Sequence, residues 1–394
     1  EEERINRVKH WAGLPTRSIN ECLKETNIDC SEITDIAINT NPLSNIKEKT
    51  FFFLKNYLLG SKKKEIANRI IKKLNIKKDI NNFLYPKKLS KNVKIHYVDH
   101  HISHIASAFY ASNFNNAVGL SIDGFGDFCS MSIAKCENDE INVFKKSYFP
   151  HSLGVFYETF TQFLGFKNYG DEYKMMGLSS YGKPKYFEKI LNNVFIKDSL
   201  KLNLDYFNHA KKDYIYKFDG RPIQSQLFNN KLEILLENKN FNSNNILNDQ
   251  KDLAASVQKI FETKVIEILK KIKDLNFSDN LVFAGGCALN SLANKTIHDS
   301  KLFKDIFIPY APGDGGGAIG AAIYSSKKSK KKINFTNLKT PFLGPSFSNS
   351  KILEFINKKK EIEEFEINYI EDKNKLCSKI SEYILDSKIV GYFN

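Results

Sequence analysis

Two segments of the sequence pass from an apolar run through consecutive glycines into a helix-like run, and this feature restricts the possible folds most. They are NLVFAGGCALN, residues 280–290, and DIFIPYAPGDGGGAIGAA, residues 305–322. Short apolar runs of this kind predict buried strands, and the glycines allow a close turn into the following helix. The free amides and positive dipole end of each helix start also suit an anion. Strands that alternate with helices favour an α/β architecture with mixed sheets.

The rest of the chain continues this alternation of strands and helices. Apolar spacing predicts the further elements, and Asn- or Lys-rich composition marks two insertions between them. They are a helix at 14–26, a strand at 33–41, a lysine-rich helical insertion at about 46–90, a strand at 93–99, a β-hairpin at about 116–136 with its turn at Gly124 and Gly126, an Asn/Lys-rich insertion at about 190–250, and a long helix at 252–274. The lysine-rich tract at 327–341 is the predicted linker.

The composition indicates a globular protein of two or three domains. The chain has 394 residues, of which 42% are hydrophobic, and this is enough for more than one buried core. No run approaches eighteen apolar residues and the first residues do not resemble a signal sequence, so we expect a cytoplasmic protein with no membrane partner. The six cysteines are scattered, which favours reduced thiols over a disulfide framework.

The net charge of +14 raises the question of nucleic-acid binding. Lysines and arginines that neutralise phosphates are the electrostatic signature of nucleic-acid-binding proteins. Here the lysines lie in dispersed runs, such as GSKKKEIANRIIKKL and SSKKSKKKINF, together with many Asn and Ile residues. This pattern favours a solvated basic surface over a dedicated nucleic-acid groove.

The segment DHHISH, residues 99–104, holds three of the eight histidines. His100 and His104 stand four residues apart, so in a helix both imidazoles project from one face within reach of one ion. The same spacing also occurs in ordinary polar packing, and the pair alone leaves both interpretations open. His101 faces another side and is predicted to have a structural or supporting role.

Acidic residues accompany the glycines at two places. Asp123 and Asp127 in DGFGD lie at the predicted hairpin turn, where glycines let a phosphate approach the backbone, although an ordinary turn explains them equally well. Asp314 lies at the lip of the second glycine segment, where a carboxylate suits a cation. The ordered set of three glycine turns resembles the nucleotide cleft of the acetate-kinase, sugar-kinase, actin and heat-shock-chaperone superfamily. In that superfamily two ribonuclease-H-like halves close on ATP.

Seven motifs in one order make a more specific resemblance. They are EEERINRVKH, HHISHIASAFYASNF, SIDGFGD, FPHSLGVFYETFTQFLGF, DEYKMMGLSSYGKP, VFAGGCALNSLANK and PYAPGDGGGAIGAA. Across about residues 1–325 the chain resembles the nodulation-type and antibiotic O-carbamoyltransferases. The later PFLGPSFSNSKI, residues 341–352, resembles the entry to that family's C-terminal domain.

This resemblance implies a fold and a reaction. It implies a duplicated ribonuclease-H-like domain of the actin, sugar-kinase and chaperone type at 1–326, and the truncated start of an α+β adenylate-forming domain at 342–394. The C-terminal domain of such enzymes makes carbamoyl-adenylate from carbamoyl phosphate and ATP. The N-terminal domain passes the carbamoyl group to a hydroxyl of a sugar or secondary metabolite. The implied cofactor is Fe²⁺ or another divalent ion, and the implied partner is a small-molecule or glycan acceptor.

The resemblance also implies roles for single residues. The metal ligands would be His100, His104, Asp123 and Asp314. The nucleotide would lie against Gly285, Gly286, Asn290, Gly315, Gly316 and Gly317. Lys9 would join the two histidines as a catalytic residue, and Asp171, Glu172 and Lys174 would line the nucleotide side of the cleft.

The sequence also departs from the family pattern. Members have a histidine-bearing segment before the EEER motif and an arginine-rich motif beyond the position of Asn394, and this sequence contains neither. Both ends therefore look truncated, and we expect no overall reaction from this polypeptide alone. Two other functions stay open, a sugar-kinase-like phosphotransferase and a non-catalytic nucleotide-binding partner. Kinases of the superfamily hold Mg²⁺ through carboxylates and water, so the histidine pair favours the carbamoyltransferase.

Overall fold

The structure is a computed structural model. It describes residues 1–57, 78–80, 82–83, 92–211, 215–217, 220–237, 239, 241–330, 340–358 and 365–392. The chain divides into two compact units, Glu1–Pro341 and Phe342–Asn394. The candidate functional residues all belong to the first unit.

The first elements form a small parallel sheet with flanking helices. They are α1 (Glu2–Asn6), α2 (Thr16–Thr26), β1 (Asp35–Ile38), α3 (Ile46–Tyr57) and β2 (Lys94–Tyr97). The helix predicted at 14–26 is α2, which begins after Pro15 and is capped by Asn27 in the left-handed conformation. β1 and β2 pair in parallel, with Ile36 opposite Ile95. Of the helical insertion predicted at about 46–90, the part beyond α3 lies almost entirely outside the described residues.

A helix and an antiparallel meander follow. They are α4 (His100–Phe109), β3 (Asn116–Gly126), β4 (Cys129–Glu137) and β5 (Glu140–Tyr148). The predicted hairpin is present, but its turn is not at the glycines. β3 continues to Gly126, which pairs with Cys129, and Asp127 and Phe128 form the turn with φ of 50° and 72°. Two positive φ angles suit the right-handed twist of a hairpin, so the turn geometry decided the position here and the glycines did not.

The next hundred residues are built from shorter elements. They are α5 (Leu153–Phe163), α6 (Glu172–Ser179), α7 (Phe187–Val194), β6 (Tyr216–Lys217), β7 (Ile223–Gln224) and α8 (Asn230–Leu235). The Asn/Lys-rich stretch at about 190–250 supplies Leu202, Phe207 and Leu232 to the main core, each at most 1% exposed. Described residues of this stretch therefore contribute to the core of the domain.

The two strand–glycine–helix segments complete the central sheet, as predicted. The elements are α9 (Asn248–Lys273), β8 (Asn280–Ala284), α10 (Ser291–Asp299), β9 (Asp305–Phe307) and α11 (Asp314–Lys328). β8 pairs in parallel with β3, and β9 pairs in parallel with β8. The strand order is β5-β4-β3-β8-β9. The predicted α/β architecture with a mixed sheet is confirmed.

Residues of β3 face two separate cores. Leu120 and Ile122 belong to the larger core, which includes α5 and α9. Ala117 belongs to the smaller core against α4. Gly119 also lies beneath α4, because a Cβ there would lie 2.6 Å from the side chain of Ile105. Glycine therefore lets α4, the helix that carries the histidine pair, lie close to the sheet.

The end of α11 overlaps the predicted linker at 327–341. Lys327 and Lys328 are still helical and pair with acidic residues at the β4–β5 turn, so these first two residues of the predicted linker belong to the helix. Residues 331–339 lie outside the described residues. The second compact unit contains α12 (Asn349–Lys358) and α13 (Lys373–Leu385). Of the helices that the structure describes, none has the length and apolarity to cross a membrane.

Candidate metal centre

The start of α4 places the histidine pair. Asp99 caps the helix, because its carboxylate accepts hydrogen bonds from the backbone N–H groups of His101 at 3.0 Å and Ile102 at 3.2 Å. The helix therefore begins at His100, and His104 follows about one turn later on the same face. The shared helical face predicted from the spacing is confirmed.

Four side chains converge in front of this face. The Nε2 atoms of His100 and His104 lie 3.0 Å apart. Asp123 Oδ2 lies 2.9 Å from the Nε2 atom of His100 and 3.1 Å from that of His104. Asp314 Oδ1 lies 3.5 Å and 3.4 Å from the same two atoms. One ligand atom from each residue thus falls within 4.8 Å of all the others, and three elements, α4, β3 and α11, supply them.

The two carboxylates approach this point differently. Asp123 Oδ1 accepts hydrogen bonds from the backbone N–H groups of Gly124 at 2.8 Å and Gly286 at 3.3 Å, which leaves Oδ2 for the histidines. Asp314 is the first residue of α11, and its side chain is 71% exposed, whereas that of His104 is fully buried. The cluster is therefore closed on the histidine side and open on the side of Asp314.

The donor set suits a divalent transition metal. Imidazole nitrogen and carboxylate oxygen are ligands of zinc and iron, at bond lengths of about 2.0–2.2 Å. Two Nε2 atoms that face each other at 3.0 Å cannot both carry a proton toward the other, whereas both can donate a lone pair to one ion. Within the described ranges, no other group of three or more His, Cys, Asp and Glu side chains gathers its ligand atoms in this way. The four residues therefore fit a metal, and the assignment of one to them stays a prediction.

The pKa values of His104 and Asp123 are shifted toward the charged forms of both groups. Burial lowers the pKa of His104, but hydrogen bonds with Asp123 and Asp314 outweigh it and raise the pKa to about 10. Burial raises the pKa of Asp123, and its hydrogen bonds with His100 and His104 reverse this and hold the pKa well below the usual range. A bound cation would take over the role of the imidazole proton, so metal binding would release that proton.

His101 has the structural role predicted for it. Its Nε2–H donates to the carbonyl of Cys129 at 3.0 Å, so Nδ1 is the acceptor and receives the hydroxyl of Ser121 at 2.8 Å. Burial lowers the pKa of His101 to about 4. Both ring nitrogens are therefore used by the protein, and His101 is neutral at physiological pH.

The first glycine segment lies directly against the candidate metal centre. Gly285 has φ of 94°, and a Cβ on it would collide with the backbone of Ile122. A Cβ on Gly286 would lie 2.7 Å from Asp123 Oδ1. Both positions require glycine because the turn runs along β3 at the point where Asp123 projects from the strand.

The second glycine segment begins α11. A Cβ on Gly316 would collide with the carbonyl of Ala311, and a Cβ on Gly317 would lie 2.7 Å from Asn39 Nδ2. Gly315 belongs to the same turn. Neighbouring segments can therefore lie against the start of the helix that carries the second carboxylate of the cluster.

Asn290, predicted to contact the nucleotide, is engaged by the protein itself. Its Oδ1 accepts from the backbone N–H of Ala293 at 2.9 Å, which caps α10, and from Gln258 Nε2 at 3.0 Å. Its Nδ2 donates to Gln258 Oε1 at 2.9 Å. These bonds give Asn290 a structural role, and a contact with nucleotide stays a prediction.

The other predicted cleft residues form a second group. Lys9 Nζ lies 4.4 Å from the centre of the Tyr173 ring, and Lys174 pairs with Asp171 at 2.9 Å. Burial raises the pKa of Glu172 to about 7. The structure therefore brings Lys9 together with α6, and the predicted roles of these residues in catalysis and nucleotide binding stay predictions.

The family of the chain follows from its similarity to known proteins. Residues 1–323 match the family described as Carbamoyltransferase N-terminus. The chain belongs to this carbamoyltransferase family. The family resemblance inferred from the seven motifs is therefore confirmed.

Two relatives align with this chain over its whole length. Uncharacterized protein sll1178 from Synechocystis is 30% identical over 410 residues, which cover 100% of this chain and 64% of the relative. Nodulation protein NolNO from Sinorhizobium fredii is 29% identical over 398 residues, which cover 100% of this chain and 53% of the relative. The chain thus spans about half to two thirds of the length of these relatives. The solved structure of full-length HypF aligns with a TM-score of only 0.33 and 14% identity, over 64% of this chain and 38% of that chain, a likeness too low to carry an argument.

Glu158 is a residue that the sequence analysis does not single out. It lies on α5, whose start is fixed near the candidate metal centre because Ser152 Oγ donates to the carbonyl of Asp123 at 3.0 Å. Its Oε1 accepts from Gln224 Nε2 at 2.5 Å. Burial, and then the charge of Glu172, raise the pKa of Glu158 to about 8. The available signal was one acidic residue inside the otherwise apolar helix LGVFYETFTQF.

Proposed function

We propose that this chain holds a divalent ion, Fe²⁺ in the first place, in an enzyme that transfers a carbamoyl group to a hydroxyl of a sugar or secondary metabolite. One observation carries the proposal. Four ligand atoms of His100, His104, Asp123 and Asp314 lie within 4.8 Å of one another, in a chain whose residues 1–323 match the carbamoyltransferase N-terminus.

In this proposal the metal ion is bound at the closed, histidine side of the cluster, and the substrates approach from the open side at Asp314. A divalent ion bound there would supply Lewis acidity toward a carbonyl oxygen. His100, His104 and Asp123 would hold it from the buried side, and the exposed side of Asp314 faces the acceptor and donor. The imidazoles would bind in the neutral form, because a protonated Nε2 has no lone pair to donate.

The proposed donor is carbamoyl-adenylate. Water cleaves carbamoyl phosphate to carbamate and phosphate, and a carbamate oxygen then bonds to the α-phosphorus of ATP and displaces pyrophosphate. This donor is a mixed anhydride, so attack by a hydroxyl builds negative charge on the carbamoyl oxygen. Positive charge and N–H groups that are fixed in advance stabilise this transition state more than the ground state. The acceptor oxygen bonds to the carbamoyl carbon and loses its proton to solvent, the bond from that carbon to the AMP oxygen breaks, and AMP leaves with the electron pair.

The proposed position of the adenylate is along the two glycine segments. The turn at Gly285 and Gly286 touches Asp123, and the turn at Gly315 to Gly317 follows Asp314 directly, so both flank the ligand cluster. Helix starts with little side-chain bulk suit phosphate groups. ATP and carbamoyl phosphate are metabolites of the cytoplasm, and we place the reaction there.

The proposed fold is a pair of ribonuclease-H-like halves. The central sheet supports this for the second half, because its order β5-β4-β3-β8-β9 combines three antiparallel strands with two parallel ones in the ribonuclease-H-like arrangement. Strands β1 and β2 would belong to the first half. Residues 342–394 would belong to the adenylate-forming domain. The chain spans only part of its relatives' length, so this polypeptide alone is proposed to lack the overall activity.

The test is the product formed from ATP. The protein, with any further residues that its gene encodes, is incubated with carbamoyl phosphate, ATP and Fe²⁺ or Mn²⁺, and pyrophosphate, AMP and ADP are measured. We expect pyrophosphate from carbamoyl phosphate and ATP, and AMP when a hydroxyl acceptor is carbamoylated. A lack of pyrophosphate with every divalent ion would refute the proposal. ADP formation that does not consume carbamoyl phosphate would point to a sugar-kinase-like phosphotransferase.

A further inference from the structure

Asp127 makes hydrogen bonds beside the candidate metal centre that its position in a turn does not require. It lies at the β3–β4 turn and is only 5% exposed. Its Oδ2 accepts the backbone N–H of His100 at 3.0 Å and that of Asn41 at 2.7 Å. Its Oδ1 accepts the hydroxyl of Thr40 at 2.6 Å. One buried carboxylate therefore joins the first residue of α4 to the segment that follows β1.

This segment, residues 39–45, is held at a second point. Asn45 Nδ2 donates to the carbonyl of Asp127 at 2.9 Å. Asn45 Oδ1 accepts from Lys146 Nζ at 2.9 Å, and the same ammonium pairs with Asp99, the cap of α4, at 3.1 Å. A closed ring of bonds thus runs from Asp127 through Asn45, Lys146 and Asp99 back to the start of α4. A buried carboxylate such as that of Asp127 holds its neighbours in fixed positions when both of its oxygens accept hydrogen bonds.

The 39–45 segment also contacts the start of α11, the helix that carries Asp314. Asn39 Nδ2 lies 2.7 Å from the place where a Cβ of Gly317 would be, in the first turn of α11. Asp314 begins that helix. Asp127 is therefore connected to one imidazole ligand directly and to the helix of a carboxylate ligand through one short segment.

We propose that Asp127 is a positioning residue of the candidate metal centre, which fixes His100 and fastens the 39–45 segment between the starts of α4 and α11. The proposal has two readouts, and one of them, metal affinity, rests on the proposed function. Its other readout, backbone protection at the start of α4, needs no metal. Groups that orient a metal ligand are typically worth about ten- to a hundredfold in metal affinity.

The experiment compares Asp127→Ala with Asp139→Ala. Asp139 is a matched control, because it also lies in a β-hairpin turn with positive φ, of 64°, but its carboxylate pairs with Lys327 at the surface. The two variants share the cost of alanine in the left-handed region and the loss of one charge. For each, hydrogen exchange is measured in peptides that cover residues 39–45 and 98–104, and Co²⁺ affinity is measured from the visible absorption of the bound ion.

We expect Asp127→Ala to raise exchange in both peptides, to weaken Co²⁺ binding about ten- to a hundredfold and to alter the Co²⁺ spectrum. Asp139→Ala should leave all three unchanged. Asp127→Asn should restore most of the protection, because its amide oxygen can still accept both backbone N–H groups. If Asp127→Ala matches Asp139→Ala in exchange and affinity, the proposal is overturned.

Two further outcomes keep the inference separate from the proposed function. If the unaltered protein binds no Co²⁺, Fe²⁺ or Zn²⁺, the proposed metal fails, and exchange at 98–104 alone decides the role of Asp127. If Asp127→Ala does not fold, Thr40→Val replaces it, because it removes only the bond to Oδ1. Thr40→Val should raise exchange at 39–45 and weaken Co²⁺ binding by a few fold, and no change in either would overturn the proposal.

Discussion

At the scale of single residues, the candidate metal centre depends on two imidazole nitrogens 3.0 Å apart. Their positions follow from local rules, since Asp99 starts the helix and the spacing of four places both rings on one face. The shared helical face of the two histidines could therefore be predicted from their spacing in the sequence. It could not predict the approach of Asp123 and Asp314 by spacing, and only the family resemblance suggested it. Hydrogen bonds between elements far apart in the chain bring those carboxylates to the histidines.

His104→Ala is expected to abolish stoichiometric binding of Fe²⁺ or Zn²⁺. The change removes the fully buried ligand and leaves one imidazole with two carboxylates, one of them 71% exposed. The measurement is metal content after anaerobic loading and dialysis. His298→Ala is the control, because His298 is an exposed histidine beside Asp299, outside the cluster. Equal occupancy in His104→Ala and the unaltered protein would remove His104 from the ligand set.

At the scale of elements, the packing of α4 against α11 sets the width of the cluster. A Cβ on Gly320 would collide with the backbone of Ser103 in α4. Glycine here lets the two helices that carry the histidines and Asp314 lie close together. The sequence showed a glycine-rich helix start at this place, but which backbone it touches depends on the packing of two elements that are distant in the chain.

Gly320→Ala is expected to lower the free energy of unfolding by about 1–3 kcal/mol, because an extra methyl must push two helices apart. The shift should also weaken metal binding, since Asp314 would move with α11. The control is Gly177→Ala on α6, where an added Cβ meets nothing within 4 Å. That change should leave stability equal or raise it by up to about 1 kcal/mol. Urea unfolding measures both, and equal midpoints for the two variants would contradict the close helix contact.

The element scale also shows where the sequence interpretation failed. The hairpin turn was predicted at Gly124 and Gly126, yet the chain turns at Asp127 and Phe128. Glycine permits positive φ but does not require it, and the register of β3 against β4 selected the residues of the turn. Asp127 does lie in the turn, as the sequence predicts, and its carboxylate is buried against the start of α4.

At the scale of the whole molecule, buried neutral histidines link stability to pH. His209 is 8% exposed, and its Nε2–H donates to the carbonyl of Pro150 at 2.7 Å. Burial lowers the pKa of His209 from 6.5 to about 4. Between these values the unfolded chain binds a proton that the folded protein does not bind, so the free energy of unfolding rises with pH in this window.

The free energy of unfolding is therefore expected to fall as the pH drops from about 6.5 to about 4, with His209 contributing about 3 kcal/mol. His209→Gln should reduce this dependence, because a glutamine can donate to the same carbonyl but does not titrate. His298→Gln, an exposed site, should leave the dependence as it is. Urea unfolding at several pH values measures the slopes. Parallel curves for His209→Gln and the unaltered protein would show that His209 is not held neutral.

The sequence by itself determined the local parts of this protein. The strand–glycine–helix segments, the mixed α/β class and the shared face of His100 and His104 all follow from spacing within one segment, where side-chain periodicity and backbone freedom act over a few residues. Ordered motifs also identified the carbamoyltransferase family.

Only the tertiary structure decided which distant groups meet. Three features depend on three-dimensional packing. They are the close approach of the candidate ligand atoms from α4, β3 and α11, the hydrogen bonds of Asp127 to the 39–45 segment, and the raised pKa of the partly buried Glu158. The reason is physical. A short-range pattern fixes the direction of a side chain from its own element, whereas the distance between two elements is set by how closely their backbones and side chains can pack.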